Sequence, residues 1–186
     1  MPDSRSFLAA LRRAIRSIAS PARTRTATTT DAEPAAWSDD RDERPGRSGP
    51  HATVELDRAR VRGVRFSYTP ERDGEPDPGE VVWTWVPYEE NDGRGKDRPV
   101  VIVAAGAPGE FLAVQLTSAR RDRDADAIAL CAGPWDPQGR PSWARIDRVF
   151  RVHADGVRRE AASLDRDRYA RVVDALAGRY GWSSAR

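Results

Sequence analysis

The stretch EENDGRGKDRPVVIVAA, residues 89–105, joins two opposite kinds of chain. Nine polar or glycine residues lead to Arg98-Pro99, and an unbroken apolar run follows at once. A short apolar run bounded by turn residues reads as a buried strand. An arginine therefore stands at the mouth of a buried strand, behind a polar, glycine-punctuated loop.

Working outward, similar runs recur on both sides. EVVWTWVPY (80–88), EFLAVQLTS (110–118), AIALCAG (127–133) and SWARIDRVFRV (142–152) join PVVIVAA (99–105) as five short strand-like segments, the spacing of a small barrel or strongly curved sheet. The last segment alternates as one strand, with Arg148 interrupting an otherwise apolar face. Upstream, VELDRARVRGVRFSYTP (54–70) predicts a further strand ending at Pro70, and ERDGEPDPG (71–79) a turn-rich connector. Downstream, Leu164, Tyr169, Val172, Val173, Leu176 and Tyr180 recur at helical intervals, with Ser163 as the expected cap and Gly181 as the stop.

The N-terminal region has a different texture. Residues 1–20 hold a basic amphipathic helix, with Phe7, Leu8, Leu11, Ile15 and Ile18 on one face and Arg5, Arg12, Arg13 and Arg16 around the rest. Its economical reading is a short helix docked on its own protein, or a partly formed one, so neither membrane contact nor a site is assigned to it. Residues 21–52 contain TRTATTT and DDRDERPGRSGP and few apolar side chains, a composition expected of a disordered linker. Residues 53–186 then form the single domain that a chain of 186 residues with 39% apolar content supports.

Charge and cysteine usage narrow the function. All 31 basic side chains are arginine except Lys96. Residues 1–52 carry 9 basic and 7 acidic groups, leaving 22 of each in the remaining 134 residues. The body is neutral, so any nucleic-acid site on it is a local patch rather than a global positive field. Cys131 is the one cysteine, no Cys/His set has zinc spacing, and no apolar run approaches the length of a membrane span. A cytoplasmic protein without metal or cofactor is the expectation.

Several tempting motifs fail. GRGK (93–96) has Glu90 and Asp97 where a phosphate-binding loop needs glycine and a hydroxyl. DRDAD (122–126) is followed by Ala127 instead of the glycine of a calcium loop, and Gly133 stands where its bidentate glutamate belongs. His51 and His153 fall in the linker and beyond the last run, so histidine-based hydrolysis is poorly supported, and His153 is read as a surface residue.

What remains is Gly79-Glu80-Val81-Val82-Trp83, the polar loop closed by Arg98-Pro99-Val100-Val101-Ile102-Val103, and Leu116-Thr117-Ser118, followed by SWARIDRVFRV and a C-terminal helix. In this order and spacing the chain resembles the MazF/PemK family of bacterial toxin ribonucleases. The resemblance implies a mainly β, SH3-like small barrel with a C-terminal helix. It also implies a homodimer that cleaves single-stranded RNA and is silenced by an antitoxin protein of a type II toxin–antitoxin system. Arg98 and Thr117 match the family's catalytic arginine and threonine. Ser118 stands beside the threonine, and Glu89, Glu90, Lys96 and Asp97 belong to the loop that covers substrate. Which of Glu89, Glu90 and Asp97 corresponds to the family's acidic loop residue is left open. The long N-terminal region and CAGPWDPQGRPSW (131–143) depart from the compact family pattern.

The residues make chemical sense by themselves. Cleaving RNA through its own 2′-hydroxyl needs proton transfer at two oxygens and fixed positive charge on the phosphoryl oxygens, without a metal. A guanidinium grips phosphate bidentately, and Pro99 fixes the backbone behind it. The competing readings are a structural salt bridge from Arg98 to Asp97 or Glu90 and an ordinary strand-end threonine. Together they describe a catalytically silent barrel that binds protein or nucleic acid.

Overall fold

The valine- and tryptophan-rich runs pair edge to edge, which satisfies their backbone groups and buries alternate side chains. The computed structural model describes residues 44–71 and 73–182. Its strands are β1 Val54–Glu55, β2 Glu80–Pro87, β3 Gly95–Ala105, β4 Glu110–Thr117, β5 Ala127–Cys131, β6 Ser142–Arg145, β7 Phe150–His153 and β8 Arg158–Ser163, followed by helix α1, Arg166–Tyr180. The expected N-terminal helix and residues 21–43 of the expected linker lie outside the described residues.

All pairings are antiparallel, in the order β1-β7-β4-β3-β2-β8, with β6 bridging β4 and β5. β1 and β2 stand four places apart in that order, yet Thr53, next to β1, hydrogen bonds Thr84 in β2, Oγ1 to Oγ1 at 2.7 Å. The sheet therefore curls until its far edge returns to β2, giving the small SH3-like barrel. Register shifts at Val81/Val82 and Ile102/Ala104 supply local bends that assist the curl.

Two apolar clusters flank the sheet. One packs Val81, Val101, Val103, Val114 and Leu116 against Tyr169, Val172, Val173 and Leu176 of α1. The other joins Val82, Val86, Val100, Ile102, Ala113, Phe150 and Val152 on the opposite face. The Asp165 carboxylate caps α1 by accepting from the Arg168 N–H, and Gly181 ends the helix at φ 66° in the left-handed region.

Four expectations are corrected. Residues 61–70 are not a strand: Phe66 is buried and Tyr68 packs on the core, but their alternation serves contact with the helix side. There the Tyr169 hydroxyl bonds the Ser67 and Val103 carbonyls. Residues 142–152 are not one strand, because the chain leaves the β4–β5 neighbourhood after Arg145 and re-enters between β1 and β4 at Phe150. The helix cap is Asp165, since Ser163 is the last residue of β8, a polar edge strand with no apolar alternation to announce it. Residues 44–52, placed by composition in the linker, pack on β2. Gly46 is buried, the Pro45 carbonyl accepts from the Trp85 N–H at 3.1 Å, and the Arg44 and Arg47 guanidinium groups lie 5.4 and 5.2 Å from the Trp85 ring centroid. Among the described residues no helix is long and apolar enough to cross a membrane.

Candidate functional site

β3 runs further than its apolar residues require. It pairs with β2 from Gly95 onward but with β4 only from Val100 onward, so Arg98 lies inside a strand opposite Thr84 and not at a strand mouth. Around Arg98 and Pro99 the strand has one open edge, the setting in which a sheet tolerates proline. The loop proper is shorter than expected, residues 88–94. Val100 opposes Gln115, and two residues further along each strand, on the same alternating faces, come Arg98 and Thr117.

Arg98 and Thr117 line one depression of about 300 Å³, which also contains Lys96, Asp97 and Ser118. A second depression, of about 340 Å³, is lined by Glu89, Glu90, Gln115, Arg145 and Arg148, and again by Arg98. Arg98 is thus the wall common to both, and the other six residues singled out in the sequence line one depression or the other. Arg98 is half-buried as a residue, and its guanidinium makes no ion pair or hydrogen bond with any described residue. The structural salt bridge considered above is absent. Asp97 accepts instead from Arg158 at 3.0 Å, and Glu89 from Arg145 at 3.1 Å. Glu90 and Lys96 are exposed.

Neighbouring charges are mostly spoken for. Arg145 is held by Asp147 and Glu89; those hydrogen bonds, Asp147's foremost, raise its pKa against the opposing effect of burial. Arg148, only 6% exposed, donates to Glu55 and to the Pro87 carbonyl at 3.0 Å. Burial pushes the Asp136 carboxyl up, but hydrogen bonds from Arg140 and the Gln138 N–H outweigh it and hold the group below its ordinary value. Thr117 Oγ1 accepts from the Ala119 N–H at 3.2 Å, which leaves its proton to be donated elsewhere. The site therefore offers one uncompensated half-buried cation, a hydroxyl donor and carboxylates tied to arginines, a combination suited to gripping a phosphodiester.

Sequence reasoning missed several residues here. Gln115 was hidden inside an apolar strand. The segment noted as a departure forms part of the first depression through Trp135, Asp136, Arg140 and Ser142, with the buried Trp135 indole N–H donating to Ser142 Oγ at 3.1 Å. His153 is half-buried rather than a plain surface residue, stacked on His51 with centroids 4.2 Å apart and both rings 3.6 Å from the Asp155 carboxylate. This is the group of three metal-type donors among the described residues. None of the three lines either depression.

Residues 77–178 match the model of the PemK-like, MazF-like toxin of type II toxin–antitoxin systems. Among solved structures, a MazE–MazF complex from Deinococcus radiodurans is similar at 22% identity and a TM-score of 0.45, covering 58% of this chain and 97% of that one. An endoribonuclease from Mycobacterial species is similar at 22% identity and a TM-score of 0.43, covering 60% and 97%. The toxin MazF-mt6 of Mycobacterium tuberculosis follows at 14% identity and 0.41, covering 56% and 98%. No curated protein sequence matches the chain significantly.

Proposed function

The chain belongs to the PemK-like, MazF-like toxin family of type II toxin–antitoxin systems, and from that premise we propose that it is an endoribonuclease cutting single-stranded RNA through the 2′-hydroxyl. The observation that carries this reading is half-buried Arg98, its guanidinium unpaired, between two depressions. An uncompensated cation held at a strand surface is costly unless an anion completes it, and the scissile phosphate is that anion.

In the proposed reaction the 2′-oxygen attacks phosphorus and loses its proton. The P–O5′ bond breaks, and the departing oxygen gains a proton, leaving a 2′,3′-cyclic phosphate and a 5′-hydroxyl. Arg98 holds the phosphoryl oxygens as negative charge builds on them, and the Thr117 hydroxyl donates to the same group. Ser118 and Lys96, at the rim of the depression with Thr117, bind flanking phosphates. Asp136, held below its ordinary value, is a weak base, and Asp97 and Glu89 are ion-paired with Arg158 and Arg145, so charge stabilisation contributes more than proton abstraction. We further propose a homodimer in the cytoplasm and an antitoxin partner. A MazE–MazF complex and a Mycobacterial endoribonuclease with its cognate antitoxin are among the similar structures.

The test is substrate chemistry. A single-stranded RNA should be cut in the presence of EDTA to cyclic-phosphate ends, and the same strand with a 2′-deoxy sugar at the scissile position should resist. Cleavage of the deoxy-substituted strand would overturn the mechanism. RNA binding without any cleavage would establish the silent-barrel reading instead.

A further inference from the structure

Gln115 sits in the middle of β4, in a segment whose neighbours on the same face, Ala113 and the cross-strand Val100, belong to an apolar cluster. It is 4% exposed, its amide makes no hydrogen bond with any described residue, and neither amide atom is among the fully buried atoms without a partner, so the little exposure it has opens the amide to the depression. A strand interior flanked by an apolar cluster would normally hold an aliphatic side chain here. Gln115 instead lines the 340 Å³ depression that shares Arg98 as its wall. That volume falls at the lower end of small-ligand pockets, about 300–1,000 Å³.

The electrostatics say which part of a nucleotide would enter. Arg148 is matched by Glu55 and Arg145 by Asp147 and Glu89, while Glu89 and Glu90 lie on the rim. A second phosphate finds no free cation in this depression apart from Arg98 and meets two carboxylates, whereas an uncharged planar group meets no such penalty. The Gln115 amide presents one acceptor and one donor side by side in a plane, complementary to the adjacent donor and acceptor on a nucleobase edge. Resting on the ribonuclease reading above, we infer that this depression is a base-selecting subsite beside the scissile phosphate, with Gln115 as the residue that reads the base.

The experiment is cleavage of a randomised RNA pool, with sequencing of the ends, by the full chain and by Gln115→Met and Gln115→Glu. The parent should prefer one base at a position next to the cut. Gln115→Met, similar in size but with no hydrogen-bonding amide, should flatten the preference at that position by about tenfold, the share of one paired edge, and leave preferences elsewhere as they were. Gln115→Glu, which when ionised only accepts, should shift that position toward bases with an exocyclic amino group. An unchanged preference in a folded Gln115→Met protein, or an equal loss at every position, overturns the subsite. Should the variants fail to fold, an abasic nucleotide at that position in the parent's best substrate decides the matter: cleavage about tenfold slower supports the subsite, and an unchanged rate refutes it. A parent that leaves the whole pool intact refutes the nuclease reading instead. The subsite then stands or falls on whether parent and Gln115→Met select different sequences from the same pool by binding.

Discussion

Replacing Arg98 with alanine separates chemistry from stability, because the structure assigns this side chain no internal partner. Its removal breaks no hydrogen bond or ion pair. It also removes one positive charge from a depression that holds Arg145 and Arg148, so the lost packing of a half-buried stem is partly offset by relief of like-charge repulsion. The net stability change should be below about 1 kcal/mol, or at most roughly 4 °C in Tm for a protein of this size. The rate should respond very differently. Removing one preorganised donor to a developing oxyanion costs about 2.7–4 kcal/mol, a hundredfold to a thousandfold in kcat. Arg98→Lys keeps the charge but loses the planar fork, and should recover only part of that loss. Single-turnover cleavage of a fluorophore–quencher RNA, alongside thermal melting by circular dichroism, measures both quantities on one preparation. An Arg98→Ala protein that cuts within threefold of the parent, or one that melts far below it, would refute the assignment.

Residues 44–186 should unfold as one cooperative unit, whereas a chain starting at residue 53 should melt lower, because it lacks the buried Gly46 and the strap over Trp85; equal melting temperatures would show the strap to be idle. Within that strap, Gly46 has φ +78°, and a Cβ there would stand 2.0 Å from Thr84 Oγ1 and 2.7 Å from the Gly156 carbonyl, so Gly46→Ala should cost at least about 2 kcal/mol in denaturant titration. Burial raises the Tyr169 pKa above its ordinary 10.0, so the folded state disfavours the phenolate. The stabilisation is complete below pH 10 and is lost as pH rises beyond it, where the unfolded chain ionises first. Tyr180, raised mainly by burial, acts with the same sign. Tyr169→Phe should destabilise by about 1–2 kcal/mol at pH 8 through its unpaired carbonyls and should flatten the decline between pH 10 and 11; an unaltered slope would exclude Tyr169 as its source.

Local chemistry made much of this protein legible in the chain. The runs at 80–88, 99–105, 110–118 and 127–133 became β2 to β5 because short apolar segments bounded by turns have few other ways to bury themselves. The helix and its Gly181 stop were equally plain, since a 3.6-residue period and a left-handed glycine are properties of neighbours in sequence. Arg98 stands at a change of texture, and it and Thr117 could be named as site residues through the resemblance to the MazF/PemK family. What the chain did not disclose depends on which strands meet. The break in 142–152 follows from a change of pairing partners, and β8 exists because β2 offers it an edge. The strap at residues 44–52 looks like linker in composition and becomes ordered only because Trp85 and Thr84 present a surface to it. Gln115 and Arg98 are 17 positions apart in sequence and line one cavity because the β3–β4 register aligns Val100 with Gln115. Burial of a lone amide and the absence of a counterion beside an arginine are relations between distant residues, and only the closed barrel brings those residues within reach of one another.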